Sequence, residues 1–158
     1  MDWAGWATFG FVATVLLTGI MAASQLFGLS RMDLLLMLGT IVVERPDRAR
    51  VVGFFIHLVN GQVFALLYGV AFALIGTATW WLGALFGLLH GLAALTVIVP
   101  LLPGVHPRMA SERTGPELRT VLEPPGPLGL NYGRETPLFT LVAHVAYGAV
   151  LGGFLNPR

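Results

Sequence analysis

Three histidines, His57, His90 and His144, lie inside long apolar stretches, and two tyrosines, Tyr68 and Tyr147, share those stretches. Side chains of these types support three kinds of chemistry where water is scarce. A neutral imidazole donates one hydrogen bond and accepts another, which ties helices together at about 0.6 kcal/mol per contact. It also ligates zinc, copper or haem iron. Alongside a phenol it relays protons, although relays inside membranes usually include a carboxylate or a guanidinium. No Asp, Glu or Arg interrupts the apolar stretches, so a pore or pump is disfavoured.

For ligation the candidates are His57, His90 and His144, holding haem, a chlorophyll-like pigment or a transition metal. Gly53 and Gly61 flank His57 one turn away on either side, and Gly148 follows His144, which leaves space beside the rings for a flat macrocycle. Asn60 and Tyr147 stand about one turn beyond His57 and His144 and can hydrogen-bond them. No two histidines form an i, i+4 pair, and no HExxH or Glu-x-x-His run supplies a carboxylate beside them. Any carboxylate ligand would come from the connection over residues 103–135, where Glu112 and Glu123 are the candidates. A lipid-acting enzyme would instead draw on His106 and Glu123. The same connection, through HPRMASERTGPE, offers arginines to an anionic headgroup, but ordinary positive-inside bias accounts for them as well. Ser24, Ser30 and Ser111 have no histidine and carboxylate partners in a recognisable arrangement. The glycines lie within apolar stretches rather than after a strand, which excludes a phosphate cradle.

Helices in a bilayer must position these residues. Small or polar residues recur every fourth position as Gly53, His57, Gly61, Ala65, Gly69 and Ala73, as Gly83, Gly87 and Gly91, and as Thr136, Thr140, His144, Gly148 and Gly152. Such rows let helix backbones approach closely in lipid, and they turn the imidazoles toward neighbouring helices. Four spans are predicted, over about 3–29, 51–76, 80–102 and 136–155, each long enough for a hydrocarbon core of about 30 Å. Trp3, Trp6, Trp80 and Trp81 suit the water boundary. The ten apolar residues from Leu34 to Val43 reach only about 15 Å as helix, so they form a short interfacial or re-entrant helix in the first cytoplasmic loop. The charged run after it, broken by Pro46, reads as a membrane-surface loop. Pro100 and Pro103 close the third span. Residues 103–135 read as an ordered loop, because EPPGPLGLNYG mixes prolines and turn glycines with Leu128, Leu130 and Tyr132.

Composition supports this. Hydrophobic residues make up 56% and charged residues 11%, against roughly 25% charged in an average soluble domain, and mean hydropathy is +0.78. The expectation is an all-α integral membrane protein, a single four-helix transmembrane domain over residues 1–158. A net charge of +1 gives no reason to expect nucleic acid. All basic residues are arginine, which excludes a lysine Schiff base and any pigment held by one, and the absence of cysteine excludes iron–sulfur and thiol chemistry.

Arginines cluster after the first span (Arg31, Arg45, Arg48, Arg50) and after the third (Arg108, Arg113, Arg119, Arg134), leaving Arg158 for the other side. Positive loops stay in the cytoplasm, so both termini face outward. In that frame His57, His144 and His90 lie about 9, 12 and 18 Å from the arginine-rich side, close enough in depth to converge. The plan of short spans, with glycine four residues after a histidine in the second and fourth and prolines ending the third, resembles small bacterial inner-membrane proteins. That resemblance implies a location and no activity. The function expected is that of a small non-catalytic accessory or binding subunit, partnered by the lipid bilayer and by other membrane subunits or itself. The alternatives are a haem, pigment or metal protein using His57, His90 and His144, and a small transporter or lipid-acting enzyme.

Overall fold

A computed structural model describes residues 2–111 and 122–155, and these are helical without a strand. The helices are α1 (Trp3–Leu26), α2 (Leu34–Gly39), α3 (Pro46–Ile75), α4 (Trp80–Ala93), α5 (Val99–Val105) and α6 (Thr136–Phe154). A π turn over Ala94–Ile98 joins α4 to α5, and a 3-10 segment covers Pro127–Tyr132. Trp3–Leu26, Pro46–Ile75, Trp80–Val105 and Thr136–Phe154 are each long and apolar enough to cross a membrane.

Helix boundaries follow local chemistry and differ from expectation in three places. α3 begins at Pro46, not near Val51. Proline has no N–H to lose in a first helical turn, and Asp47 complements the positive end of the helix, so what reads as a loop-breaker is a helix start. α1 stops at Leu26 because Gly28, at φ +69, closes it: Leu29 N donates to Ser24 O and Gly28 N to Gln25 O, both at 2.9 Å. The third long helix does not end at its prolines but runs on to Val105. Pro100 would press its ring on the carbonyl four residues earlier, and the widened turn at Ala94–Ile98, where Val99 N reaches back to Ala94 O, gives it room.

The chain divides into two compact units. The first comprises Met1–Ile20, Leu58–Leu92 and Thr140–Arg158. Its core is Ala13 and Leu17 of α1, Ala65, Tyr68 and Phe72 of α3, and Ala143, Tyr147 and Leu151 of α6, all buried. Each step of four residues turns a helix by about 400° and so drifts about 40°. Along α3 burial therefore passes from Gly61 and Ala65 to Tyr68 and Phe72, while Gly69 is half-buried and Ala73 exposed. Trp6 Nε1 donates to Gln62 O at 2.9 Å and Gln62 Nε2 to Ala7 O at 3.0 Å, which ties α1 to α3.

The second unit comprises Met21–His57 and Ala93–Phe139. Of the predicted short piece only Leu34–Gly39 is helical; turns follow. Six residues are too few to nucleate a helix alone. Asp33 Oδ1 caps its start by accepting from Leu36 N at 2.8 Å, and Arg50 Nε holds Asp33 Oδ2 at 2.7 Å. Backbone contact secures its side, since a β-carbon on Gly39 would strike Ala49 O and one on Gly53 would strike Leu35 O.

Candidate functional site

Glycine brings α4 and α6 together in the first unit. β-Carbons added to Gly83 and Gly148 would each strike the other's carbonyl oxygen, one on Gly87 would strike His144 O, and one on Gly152 would strike Thr79 O. At Gly91 a β-carbon would lie 3.1 Å from the His144 Cβ. The α4 row thus seats the backbone of His144 directly.

The His144 ring turns back onto its own helix, where Nδ1 donates to Thr140 O at 2.8 Å. In a neutral ring this leaves Nε2 as acceptor. His90 meets it edge-on, with ring centroids 4.8 Å apart and planes at 78°. Phe64 covers His90 at 4.0 Å, and Tyr68 Oη lies 3.5 Å from His90 Nδ1. Tyr147 stands perpendicular to Tyr68 at 5.6 Å and donates its hydroxyl to Gly61 O at 2.6 Å. Phe72 and Phe86 stack at 5.5 Å against the same group. The result is a continuous aromatic and imidazole seam between α3, α4 and α6.

A shared ligand must fit that seam. Two imidazoles in line on one metal, each through a bond of about 2.0–2.1 Å, would have centroids roughly 6 Å apart. The observed 4.8 Å edge contact is tighter and leaves no slot for a macrocycle between the rings. Among the described residues no three His, Cys, Asp or Glu side chains are grouped to hold a metal ion. His57 is half-buried on α3 and belongs to the second unit; Asn60 is exposed.

The loop candidates have different fates. Glu112 lies outside the described residues. Glu123 is at the surface, 3.4 Å from Arg31, and its backbone carbonyl accepts from the Tyr132 hydroxyl. Burial pushes that hydroxyl up to about 12, with the Glu123 carboxylate adding to the rise and Arg31 opposing it. His106 is 6% exposed and has both ring nitrogens engaged: Nε2 donates to Met37 O at 2.9 Å, and Nδ1 accepts from Arg108 N at 3.1 Å. Arg108 donates to the carbonyls of Thr40 and Ile41 and reaches Glu44 at 3.3 Å. These two residues satisfy the carbonyls left open at the end of α2. His106 therefore serves as a cap with both ring nitrogens engaged, and Arg108, absent from the sequence candidates, carries as much of the cap as His106. Their partners lie 64 to 69 positions away in the chain.

The comparisons with known proteins add no identity. No family model, curated protein or solved structure matches this chain.

Proposed function

We propose that this is a small non-catalytic integral membrane protein serving as an accessory or binding subunit, with its apolar helix faces docked on another membrane protein or on a second copy. The observation that carries this reading is the spending of the His144 ring on the seam itself, with Nδ1 on Thr140 O and the ring edge on His90. A ring used in this way adds packing and orientation between helices, the ordinary service of polar residues in membrane bundles. The outward face of α3, with Val59, Val63 and Leu67 more than half exposed, supplies a smooth apolar row suited to lipid or a partner helix.

Its setting is the bacterial inner membrane, with α2 at the interface. The arginines at 31, 45, 48, 50, 108 and 134 face the cytoplasm, and the start of α1 and the end of α6 face outward. Reporter fusions at residues 78 and 156 giving an outside signal, and one at residue 44 giving an inside signal, agree with that orientation; the reverse pattern overturns it.

The competing reading, haem, pigment or metal ligation by His57, His90 and His144, draws on one geometric feature. A histidine that donates Nδ1–H to a backbone carbonyl presents Nε2 in the way metal-ligating histidines do. One preparation separates the two readings. In mild detergent, a colourless and metal-free protein that copurifies with a defined membrane partner, or migrates as an oligomer, supports the subunit reading. A Soret band or stoichiometric metal defeats it.

A further inference from the structure

We propose that two copies of this chain pair through α3, with the Asn60 carboxamide of one bonded to the same group of the other; the inference rests on the subunit reading above and names the partner. Asn60 is the fifteenth of the thirty residues of α3 and is exposed. Counted from Val51, just beyond Arg50, it lies about 14 Å along the helix, near the middle of a hydrocarbon core about 30 Å thick. A carboxamide offers two N–H donors and a carbonyl acceptor, and leaving these against acyl chains is costly. The backbone carbonyls of its own helix are already engaged in the helical ladder, so the partner for this group comes from outside α3.

A matching stripe surrounds it. Asn60 is followed by Val63, Leu67, Val70 and Leu74, in alternate steps of three and four residues, and those four are 42–85% exposed. On a helix that turns 100° per residue the five fall within an arc of about 80°. Their mean step of 3.5 residues is the period that keeps one seam facing one mate through a left-handed crossing. All five belong to the first unit, so the stripe is a feature of one compact body. Beside it a shallow depression of about 420 Å³ between α1 and α3, lined by Phe11, Val59 and Leu66 and sharing Val63 with the stripe, gives side chains of a mate somewhere to seat.

Two features favour a second copy over an unrelated helix. The carboxamide is its own complement, donor to acceptor and acceptor to donor, and the stripe carries no charge to repel its own image. Copies inserted in the same sense also run α3 parallel to α3, and a twofold axis along the membrane normal sets each residue opposite its equivalent at equal depth. An unrelated helix would need a donor and an acceptor placed independently at that depth. One asparagine in an otherwise apolar seam then fixes the register of the pair.

Because the chain has no cysteine, single replacements report contacts cleanly. Val63→Cys, Leu67→Cys and Val70→Cys, oxidised in the membranes of cells that make the intact protein, should each give a covalent dimer. Val12→Cys on α1 and Leu89→Cys on α4, at similarly exposed positions, should not. Energy transfer between labelled copies, diluted stepwise in phosphatidylcholine vesicles, reads the affinity. Asn60→Leu should weaken the pair about tenfold, the scale of interhelical carboxamide bonding in lipid, and Asn60→Gln should keep most of the affinity. Crosslinks at 12 or 89 in place of the stripe, a wild type that is monomeric throughout, or a pair as tight in Asn60→Leu as in the wild type overturns the proposal. The crosslinks are made with Asn60 in place, so they decide even if Asn60→Leu does not fold. A monomeric wild type that holds a different, defined membrane protein overturns the pairing and leaves the subunit reading standing, whereas bound haem or stoichiometric metal defeats that reading itself.

Discussion

Gly83 and Gly148 meet backbone to backbone, each occupying the space that a β-carbon on the other would need. This contact sets how closely α4 approaches α6, and it fixes the depth at which Gly87 receives His144.

Gly83→Ala and Gly148→Ala should therefore each destabilise the protein by about 1–3 kcal/mol, the cost of forcing volume into a packed seam. The control is Gly19→Ala on α1, where nothing lies within 4 Å of the added carbon. That change should be neutral or stabilise by up to about 1 kcal/mol. Thermal unfolding in detergent, read by loss of the monodisperse peak, ranks the three; equal effects would show that the seam is not close-packed.

Tyr147→Phe removes the hydroxyl that reaches Gly61 O and leaves the ring in place. The expected loss is about 0.6 kcal/mol, rising to about 1.7 kcal/mol if no water reaches the abandoned carbonyl. Reversible unfolding in mixed micelles measures it, and a stability gain would contradict the assigned bond.

His90 and His144 touch, so their substitutions should not add. His90→Leu, His144→Leu and the double variant form a cycle whose coupling should be about 0.5–1.5 kcal/mol, within the range for residues in direct contact. Strict additivity would mean that the edge contact at 4.8 Å contributes nothing.

Tyr132 gives a pH dependence with a definite sign. Its folded value of about 12 lies above the ordinary tyrosine value of about 10, so the folded state holds the proton more tightly. That stabilisation is complete below pH 10 and is lost as pH rises to about 12. The wild-type unfolding midpoint should drop more steeply over this interval than that of Tyr132→Phe, which has no proton to lose. Parallel curves would place the titration elsewhere.

Local patterns made part of this molecule legible. Apolar length marks the four long helices, and glycines at fourfold spacing mark α4 and α6, the elements that meet at Gly83 and Gly148. Along α3 the same spacing misleads beyond Ala65, because a fourfold row drifts around the helix and bulky Tyr68 and Phe72 take the buried face. Pro46 is ambiguous from sequence, since proline breaks a helix interior and starts a helix equally well. Pro100 reads as a terminator because the widened turn that accommodates it has no residue signature. The roles of His106 and Arg108 were hidden for a different reason. They cap a helix far upstream, and no local window contains both partners.

The six residues of α2 also impose an order on biosynthesis. A ribosome that has translated as far as Val99 has already delivered Leu34–Gly39, but neither His106 nor Arg108 exists yet to hold the turn that follows. The neighbouring long helices carry their hydrogen-bond partners within a few residues and can form as they emerge, whereas this turn must wait for distal sequence before it can set. Nascent chains halted before and after Arg108 should differ at residues 37–41, which makes this segment a gauge of when the His106–Arg108 stretch has joined α2.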